Sequence, residues 1–301
     1  MRWIDAEELA RRVPIAAAIE ALERAFGTAG ATAPLRTSVS TPAGTLLLMP
    51  AAGSGGVGVK LVTLTPDNPA RGRPLVQAVY ALFDPTTQEP RALVDGTALT
   101  ALRTSAVSAL ATRLLARPDA ERLVLFGAGV QATAHLASMC AVRPIREVVV
   151  VSRGSQRARE LVERARDRGL RARPGTAHDV AEADIVCTCT TARTPLFDGR
   201  LLPPGSHVNA IGAYEPDARE VDTETVRRAR VVVETREVAM AEAGDLALAV
   251  AEGAIGWDHV VADLGELVRG AVVRQGPEDR TLFVSVGLAV EDLAVAAAAV
   301  E

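Results

Sequence analysis

The chain has 301 residues and a net charge of −4, with no basic field to hold nucleic acid or an anionic membrane. Apolar residues make up 49%, enough to bury the cores of two domains of ordinary size. The charged start, Met1-Arg2-Trp3-Ile4-Asp5, lacks the apolar run of a signal peptide. The apolar stretch at 293–300 is too short to span a bilayer, and three cysteines, Cys140, Cys187 and Cys189, cannot form a paired framework. A cytoplasmic, reducing location is expected.

In chain order, residues 6–26 place Leu9, Val13, Ile15, Ile19, Leu22 and Phe26 near helical spacing, which predicts one amphipathic helix. Strand-like runs follow at 45–49, 57–64 and 75–84, separated by Pro and Gly clusters at 50–56 and 66–73. Asp95-Gly96 opens an Ala- and Leu-rich helix over 97–115 that ends near Arg117-Pro118. This part is an α+β segment. Strand and helix then alternate, with strands at 123–126, 147–152, 185–188, 207–211 and 230–234 and helices at 131–140 and 155–168. The alternation predicts the α/β class, a doubly wound parallel sheet of Rossmann type over residues 117–280. A last strand-like run at 281–286 and a helix at 288–300 are expected to return to the N-terminal part. The second domain is then residues 1–116 with 281–301.

The strongest motif is Leu123-Val124-Leu125-Phe126-Gly127-Ala128-Gly129-Val130-Gln131-Ala132. Its glycines follow an apolar strand and open a helix, the context a dinucleotide turn requires. Gly127 permits the tight turn, Gly129 lets the backbone approach a pyrophosphate at the helix end, and Ala132 allows helix and strand to pack closely. Val130 and Gln131 complete the cofactor-binding run. The second strand ends in Val151-Ser152-Arg153-Gly154-Ser155-Gln156-Arg157. A carboxylate there would bind the ribose hydroxyls; the hydroxyls and the guanidinium groups of Arg153 and Arg157 suit a 2′-phosphate instead. NADP(H) is therefore expected to be preferred, with NAD(H) also usable. Val186-Cys187-Thr188-Cys189-Thr190 is expected to be a core strand whose end, with Thr188 and Thr190, lies beside the cofactor; no metal is expected at the cysteines. His135 and His207 are read as packing residues.

One residue stands out by composition. Of 33 basic side chains, 32 are arginine and one is lysine, Lys60. It sits in Gly56-Val57-Gly58-Val59-Lys60-Leu61-Val62, a stretch that reads as buried strand. Arginine keeps its charge everywhere, whereas a desolvated lysine can release its proton, so Lys60 is a candidate catalytic residue.

Several stretches together resemble the ornithine cyclodeaminase/mu-crystallin family: Thr45-Leu46-Leu47-Leu48-Met49-Pro50-Ala51, Gly58-Val59-Lys60-Leu61-Val62, Asp95-Gly96-Thr97-Ala98-Leu99-Thr100-Ala101-Leu102-Arg103-Thr104, the glycine turn, Pro216-Asp217-Ala218-Arg219-Glu220, Asp263-Leu264-Gly265-Glu266, and Phe283-Val284-Ser285-Val286-Gly287-Leu288-Ala289-Val290-Glu291-Asp292-Leu293. They occur in the family's order over nearly the whole chain. The resemblance implies a homodimer joined through the sheets of its N-terminal domains, and a small amino or imino acid bound in the cleft between domains. It implies that Arg36, Lys60 and Arg103 hold the substrate carboxylate and furnish active-site groups. Thr104 then lies beside the cofactor phosphates, and Ser285, Val286 and Gly287 near the nicotinamide. Glu291 and Asp292 are expected to cap or to pair.

One departure bears on the reaction. Where the cyclodeaminases carry a catalytic aspartate, this chain has Tyr214, in Gly212-Ala213-Tyr214-Glu215-Pro216-Asp217. That form resembles the branch of ketimine and pyrroline-2-carboxylate reductases and archaeal alanine dehydrogenases. The expected activity is hydride transfer at a C=N or CH–NH bond, with Lys60 or Tyr214 as the proton donor. The alternatives are a cyclodeaminating ammonia-lyase that recycles bound NAD internally, and a non-catalytic ligand-binding protein of the mu-crystallin kind. With 3% aromatic residues, a small aliphatic substrate is expected rather than a large flat one.

Overall fold

A computed structural model describes residues 1–28 and 30–301, with Ser155 described by its backbone alone. The chain separates into two compact units, Met1–Val107 with Leu288–Glu301, and Ser108–Gly287.

The first unit opens with β1 (Arg2–Ile4), α1 (Ala6–Arg12) and α2 (Ile15–Gly27). The single helix expected over 6–26 is thus two. Asp5 caps α1 by accepting the Glu8 N–H at 2.8 Å; Pro14, which has no N–H to donate, stands at the N-cap of α2 and breaks the run. There follow β2 (Thr37–Thr41), β3 (Gly44–Gly53), β4 (Gly56–Leu64), β5 (Val76–Phe83), β6 (Pro90–Asp95) and α3 (Gly96–Leu115). Among the described residues the six strands form one sheet in the order β1-β6-β5-β4-β3-β2. It is antiparallel except where β1 joins β6. Alternation along β4 turns Gly58, Lys60 and Val62 to the buried face and leaves Val57, Val59 and Leu61 on the other, more exposed one. The division between units falls inside α3, where the sequence suggests a boundary at the end of that helix.

The second unit runs through β7 (Arg122–Phe126), α4 (Val130–Val142), β8 (Glu147–Val151), α5 (Ser155–Arg166), β9 (Arg171–Pro174), β10 (Ile185–Thr188) and β11 (His207–Ala210). It continues with α6 (Thr223–Arg228), β12 (Ala229–Val233), α7 (Arg236–Glu242), α8 (Gly244–Ala251), β13 (Val260–Asp263), α9 (Leu264–Val268) and β14 (Arg280–Val284). Its strands form a sheet in the order β13-β12-β14-β11-β10-β7-β8-β9, and every pairing is parallel. The middle strands β10 and β11 are buried along their whole length, as a parallel sheet covered on both faces demands.

The expectation that 281–286 belongs with the N-terminal part is corrected here. β14 lies between β11 and β12 near the centre of the parallel sheet, and Thr281, Leu282, Phe283 and Val284 are all buried. A strand that reaches a sheet after a long helical excursion carries no local sign of which sheet it joins. Only the last helix, α10 (Ala289–Ala298), returns to the first unit, where it packs on α2, β3 and β4.

Candidate functional site

Apart from Thr104, on α3 within the first unit, the residues expected to hold a dinucleotide follow the carboxyl ends of β7, β8, β10 and β14. Gly127 follows β7 with φ +101°, and its N–H donates to the Val151 carbonyl at 2.8 Å. A Cβ there would stand 2.4 Å from the Cys189 carbonyl oxygen, so the turn itself excludes a side chain. Gly129 differs. It caps α4 at φ −93°, an ordinary value for any residue, and a Cβ would meet nothing within 4 Å. No side chain caps α4, which leaves the helix's first N–H groups available to an anion. Val130 is exposed, Gln131 is half-buried, and Ala132 is fully buried against the sheet. An uncapped helix start beside an open glycine is a cradle that fits a diphosphate.

Past β8, Ser152 is half-buried while Arg153 and Arg157 are exposed; among the described residues neither arginine pairs with a carboxylate. The Ser155 side chain lies outside the described residues. Thr188 ends β10 fully buried, and Thr190 is half-buried two residues later. Ser285, Val286 and Gly287 follow β14, all buried.

Three buried carboxylates tie these strand ends together, and sequence reasoning missed all three. Glu234, just past β12, accepts the Ser285 hydroxyl at 2.6 Å and the N–H groups of Val286 and Gly287 at 3.1 and 2.9 Å. Glu220 accepts the N–H groups of Thr190 and Gly212 at 2.8 and 2.7 Å, linking the ends of β10 and β11; burial raises its carboxyl above the usual range. Asp245 accepts the N–H groups of Glu220 and Val221 at 2.7 and 2.9 Å. Burial pushes its carboxyl up to about 7, with the neighbouring Glu220 adding to the rise. Glu234 and Asp245 are distant in sequence from the loops they hold, so no local pattern announces them; Glu220 stands in the 216–220 stretch, but its role as an acceptor is fixed only by the fold.

In the first unit, Lys60 is 1% exposed on the buried face of β4. Its Nζ stands 2.9 and 2.7 Å from the two carboxylate oxygens of Asp292 on α10. Arg103, on α3, sets its Nη1 2.7 Å from Glu291 and its Nε 3.3 Å from Asp292. The two acids lie in the first turn of α10 and are fully buried. Burial, with the Arg103 guanidinium beside it, pulls the Lys60 ammonium down to about 8 against the opposing attraction of Asp292. Tyr80 pairs with Lys60 across the β4–β5 register and is fully buried. Its ring lies so close to Gly58 that a Cβ there would meet the phenol oxygen at 2.2 Å; burial raises the phenol's pKa. Lys60 and Arg103 are thus brought together through one shared carboxylate, that of Asp292. Thr104 follows Arg103 on α3 and is buried, while Arg36 is half-buried just ahead of β2. A visible sign of the acidic partners was the Glu291-Asp292 pair at the head of an otherwise apolar helix.

Tyr214 is half-buried in the loop after β11. His135 sits between the Gln131 carbonyl (2.8 Å) and the Ser108 hydroxyl (3.0 Å), and burial lowers it to about 4. His207 lies between Thr281 and Asn209, and burial, with Arg274 nearby, lowers it to about 3. Both are neutral packing groups. Cys187 is buried against Asn209, and among the described residues no cluster of His, Cys, Asp and Glu is placed to hold a metal. Nor is any helix among them long and apolar enough to cross a membrane.

Comparison with known proteins matches residues 4–301 to the sequence model of the ornithine cyclodeaminase/mu-crystallin family. A Delta(1)-pyrroline-2-carboxylate reductase of Bacillus cereus is 36% identical over 274 residues, covering 87% of this chain and 83% of that protein. Among solved structures, Thermococcus litoralis Delta(1)-pyrroline-2-carboxylate reductase in complex with NADH and L-proline superposes with a TM-score of 0.96 at 36% identity, covering 100% of this chain and 96% of that one. An archaeal alanine dehydrogenase dimer with bound NAD gives a TM-score of 0.94 at 33% identity, covering 100% and 95%.

Proposed function

We propose that this chain, which belongs to the ornithine cyclodeaminase/mu-crystallin family, uses Lys60 and Arg103 to reduce the C=N bond of a small cyclic imino acid such as pyrroline-2-carboxylate. It is an NAD(P)-dependent oxidoreductase acting on the C=N or CH–NH bond of a small amino or imino acid. The observation that carries the residue assignment is the buried lysine, the only one in the chain, held at about 8 beside Arg103. Such an ammonium is charged at neutral pH yet gives up its proton readily, which is what protonation of an imine nitrogen needs.

Reduction adds a hydride to the imine carbon and a proton to the nitrogen. The nicotinamide supplies the hydride when bound. Gly127, Gly129, Val130, Gln131 and Ala132 form the diphosphate cradle, with Thr104, Thr188 and Thr190 as further cofactor contacts. Ser285, Val286 and Gly287 line the nicotinamide end, held in shape by Glu234. Lys60 holds the proton at Nζ. Arg103 and Arg36 orient the substrate carboxylate, and Tyr214 orients the reacting group. With tyrosine at 214, the loop offers no carboxylate base there for cyclising deamination. Steady oxidation of NADPH by pyrroline-2-carboxylate or its six-membered homologue tests the reading. Failure of cyclic imino acids, and of pyruvate with ammonia or methylamine, to drive it would overturn it.

NADP(H) is the proposed cofactor. The solved relatives above hold NADH and NAD, so the preference rests on this chain's own Ser152, Arg153 and Arg157. Replacing both arginines by alanine is expected to raise the KM for NADPH about 10- to 100-fold, with the KM for NADH nearly unchanged. Equal use of both cofactors by the unaltered protein would refute the preference.

The more exposed face of the six-stranded sheet supports a homodimer, and the three free cysteines suit the proposed cytoplasmic, reducing location. Trp3, 55% exposed, pairs in register with Leu93, and Leu61, 37% exposed, pairs with Leu48 and Val79. A contiguous apolar face of this kind marks an association surface. Leu61→Arg is expected to weaken self-association about 100-fold or more, read as a dimer-to-monomer shift by light scattering. An unaltered mass would show that the face is not the interface.

A further inference from the structure

We propose that Asp292 is a positioning residue for Lys60, pinning the ammonium in one orientation and keeping its proton in place, while the adjacent Glu291 performs the separate task of fixing Arg103. The proposal rests on the reading of Lys60 given above. The geometry divides the two acids. Both oxygens of Asp292 face Nζ, at 2.9 and 2.7 Å, whereas Glu291 takes the Nη1 of Arg103 at 2.7 Å. Asp292 meets Arg103 through Nε, at the longer distance of 3.3 Å.

The groups that face Lys60 come from three elements. α3 brings Arg103, which repels the ammonium; α10 brings Asp292 and Glu291, which attract it. β5 brings Tyr80, whose hydroxyl has no hydrogen-bond partner among the described residues and stays neutral, because burial and Asp292 both oppose its ionisation. An ammonium 1% exposed and next to a guanidinium favours its neutral form. The carboxylate of Asp292 is the largest influence on the other side. It also fixes the direction of a four-carbon stem that would otherwise rotate freely. Two adjacent residues in one helical turn thus hold the two cations that arrive from different elements of the unit.

The single lysine makes the test direct. Labelling with [15N]lysine gives one side-chain signal, whose pH titration reads Lys60 without reference to turnover. In the unaltered protein the expected midpoint is about 8. In Asp292→Asn it is expected to fall by about one pH unit or more. The alkaline limb of kcat/KM for NADPH-driven imine reduction should move the same way, since the proton is lost at lower pH. NADPH binding should be unchanged, and Asp292→Glu, which restores the charge, should recover most of the shift. Glu291→Gln should move the midpoint less than Asp292→Asn does. A folded Asp292→Asn protein with an unmoved midpoint would overturn the proposal. If that variant does not fold, the unaltered protein decides. A hydrogen-bonded ammonium exchanges its protons slowly with water; fast exchange with a midpoint at the ordinary 10.5 would overturn the proposal equally. A shifted midpoint with no imino acid reduced would leave the pairing intact and sink the functional reading, so the two failures are distinguishable.

Discussion

Lys60→Ala is expected to lower kcat for imine reduction by about three orders of magnitude, the usual scale for loss of a positioned acid–base group, while leaving the NADPH dissociation constant within about twofold. The glycine turn proposed to hold the diphosphate lies within Ser108–Gly287 and the lysine within the other unit, so NADPH binding is expected to survive the substitution, and thermal melting reports whether the lysine's own unit is folded. The substitution carries a stability cost as well. Removing Nζ takes from the fully buried Asp292 its closest cation and leaves it the Arg103 Nε at 3.3 Å. Stranding one member of a buried ion pair outright costs about 3–5 kcal/mol; with Arg103 still beside Asp292 the loss is a part of that, so Tm should fall and rates should be compared well below it. A variant that binds NADPH normally and turns over at more than a tenth of the unaltered rate would remove Lys60 from the chemistry.

The second large effect separates two glycines of one turn. Gly129→Ala is expected to weaken NADPH binding about 10- to 100-fold with Tm nearly unchanged. Its backbone is ordinary and its added methyl meets no protein atom, so the methyl intrudes only on whatever approaches the uncapped start of α4. Gly127→Ala is expected to damage binding and fold together. Its φ of +101° costs a residue with a Cβ about 1–2 kcal/mol, and the methyl would lie 2.4 Å from a backbone oxygen that cannot swing away. Cofactor fluorescence titration and thermal melting on both variants read the contrast. Gly129→Ala binding NADPH at full strength would mean that the diphosphate does not approach the helix there.

How far the sequence discloses this architecture depends on the range over which each signal acts. The glycine turn and its flanking strand and helix are legible because their physics is local: one backbone conformation, one helix end, one apolar strand. Lys60 is legible through contrast, a single ammonium among 32 guanidinium groups in a stretch patterned for burial. Its partner is only half legible: the acid pair Glu291-Asp292 stands out at a helix start, but Asp292 lies 232 residues further on, so which group it pairs with does not show. Glu234 and Asp245 are hidden for the same reason; their targets are backbone N–H groups whose availability only the folded loops define. The break at Pro14 follows a local rule that the apolar spacing of 6–26 overrode. The place of β14 is different in kind, since neighbourhood in a sheet is fixed by which gap its other strands leave open.

That late strand has a bearing on synthesis. A nascent chain emerges from the ribosome in order, and both units wait for residues beyond 279: the parallel sheet has an unfilled slot between β11 and β12 until 280–284 appear, and the buried lysine has no counter-charge from α10 until still later. Neither half can therefore settle into its finished form as an early, independent module, and the protein's exposure to aggregation and proteolysis should persist until the strand at 280–284 and the helix that carries Asp292 have emerged.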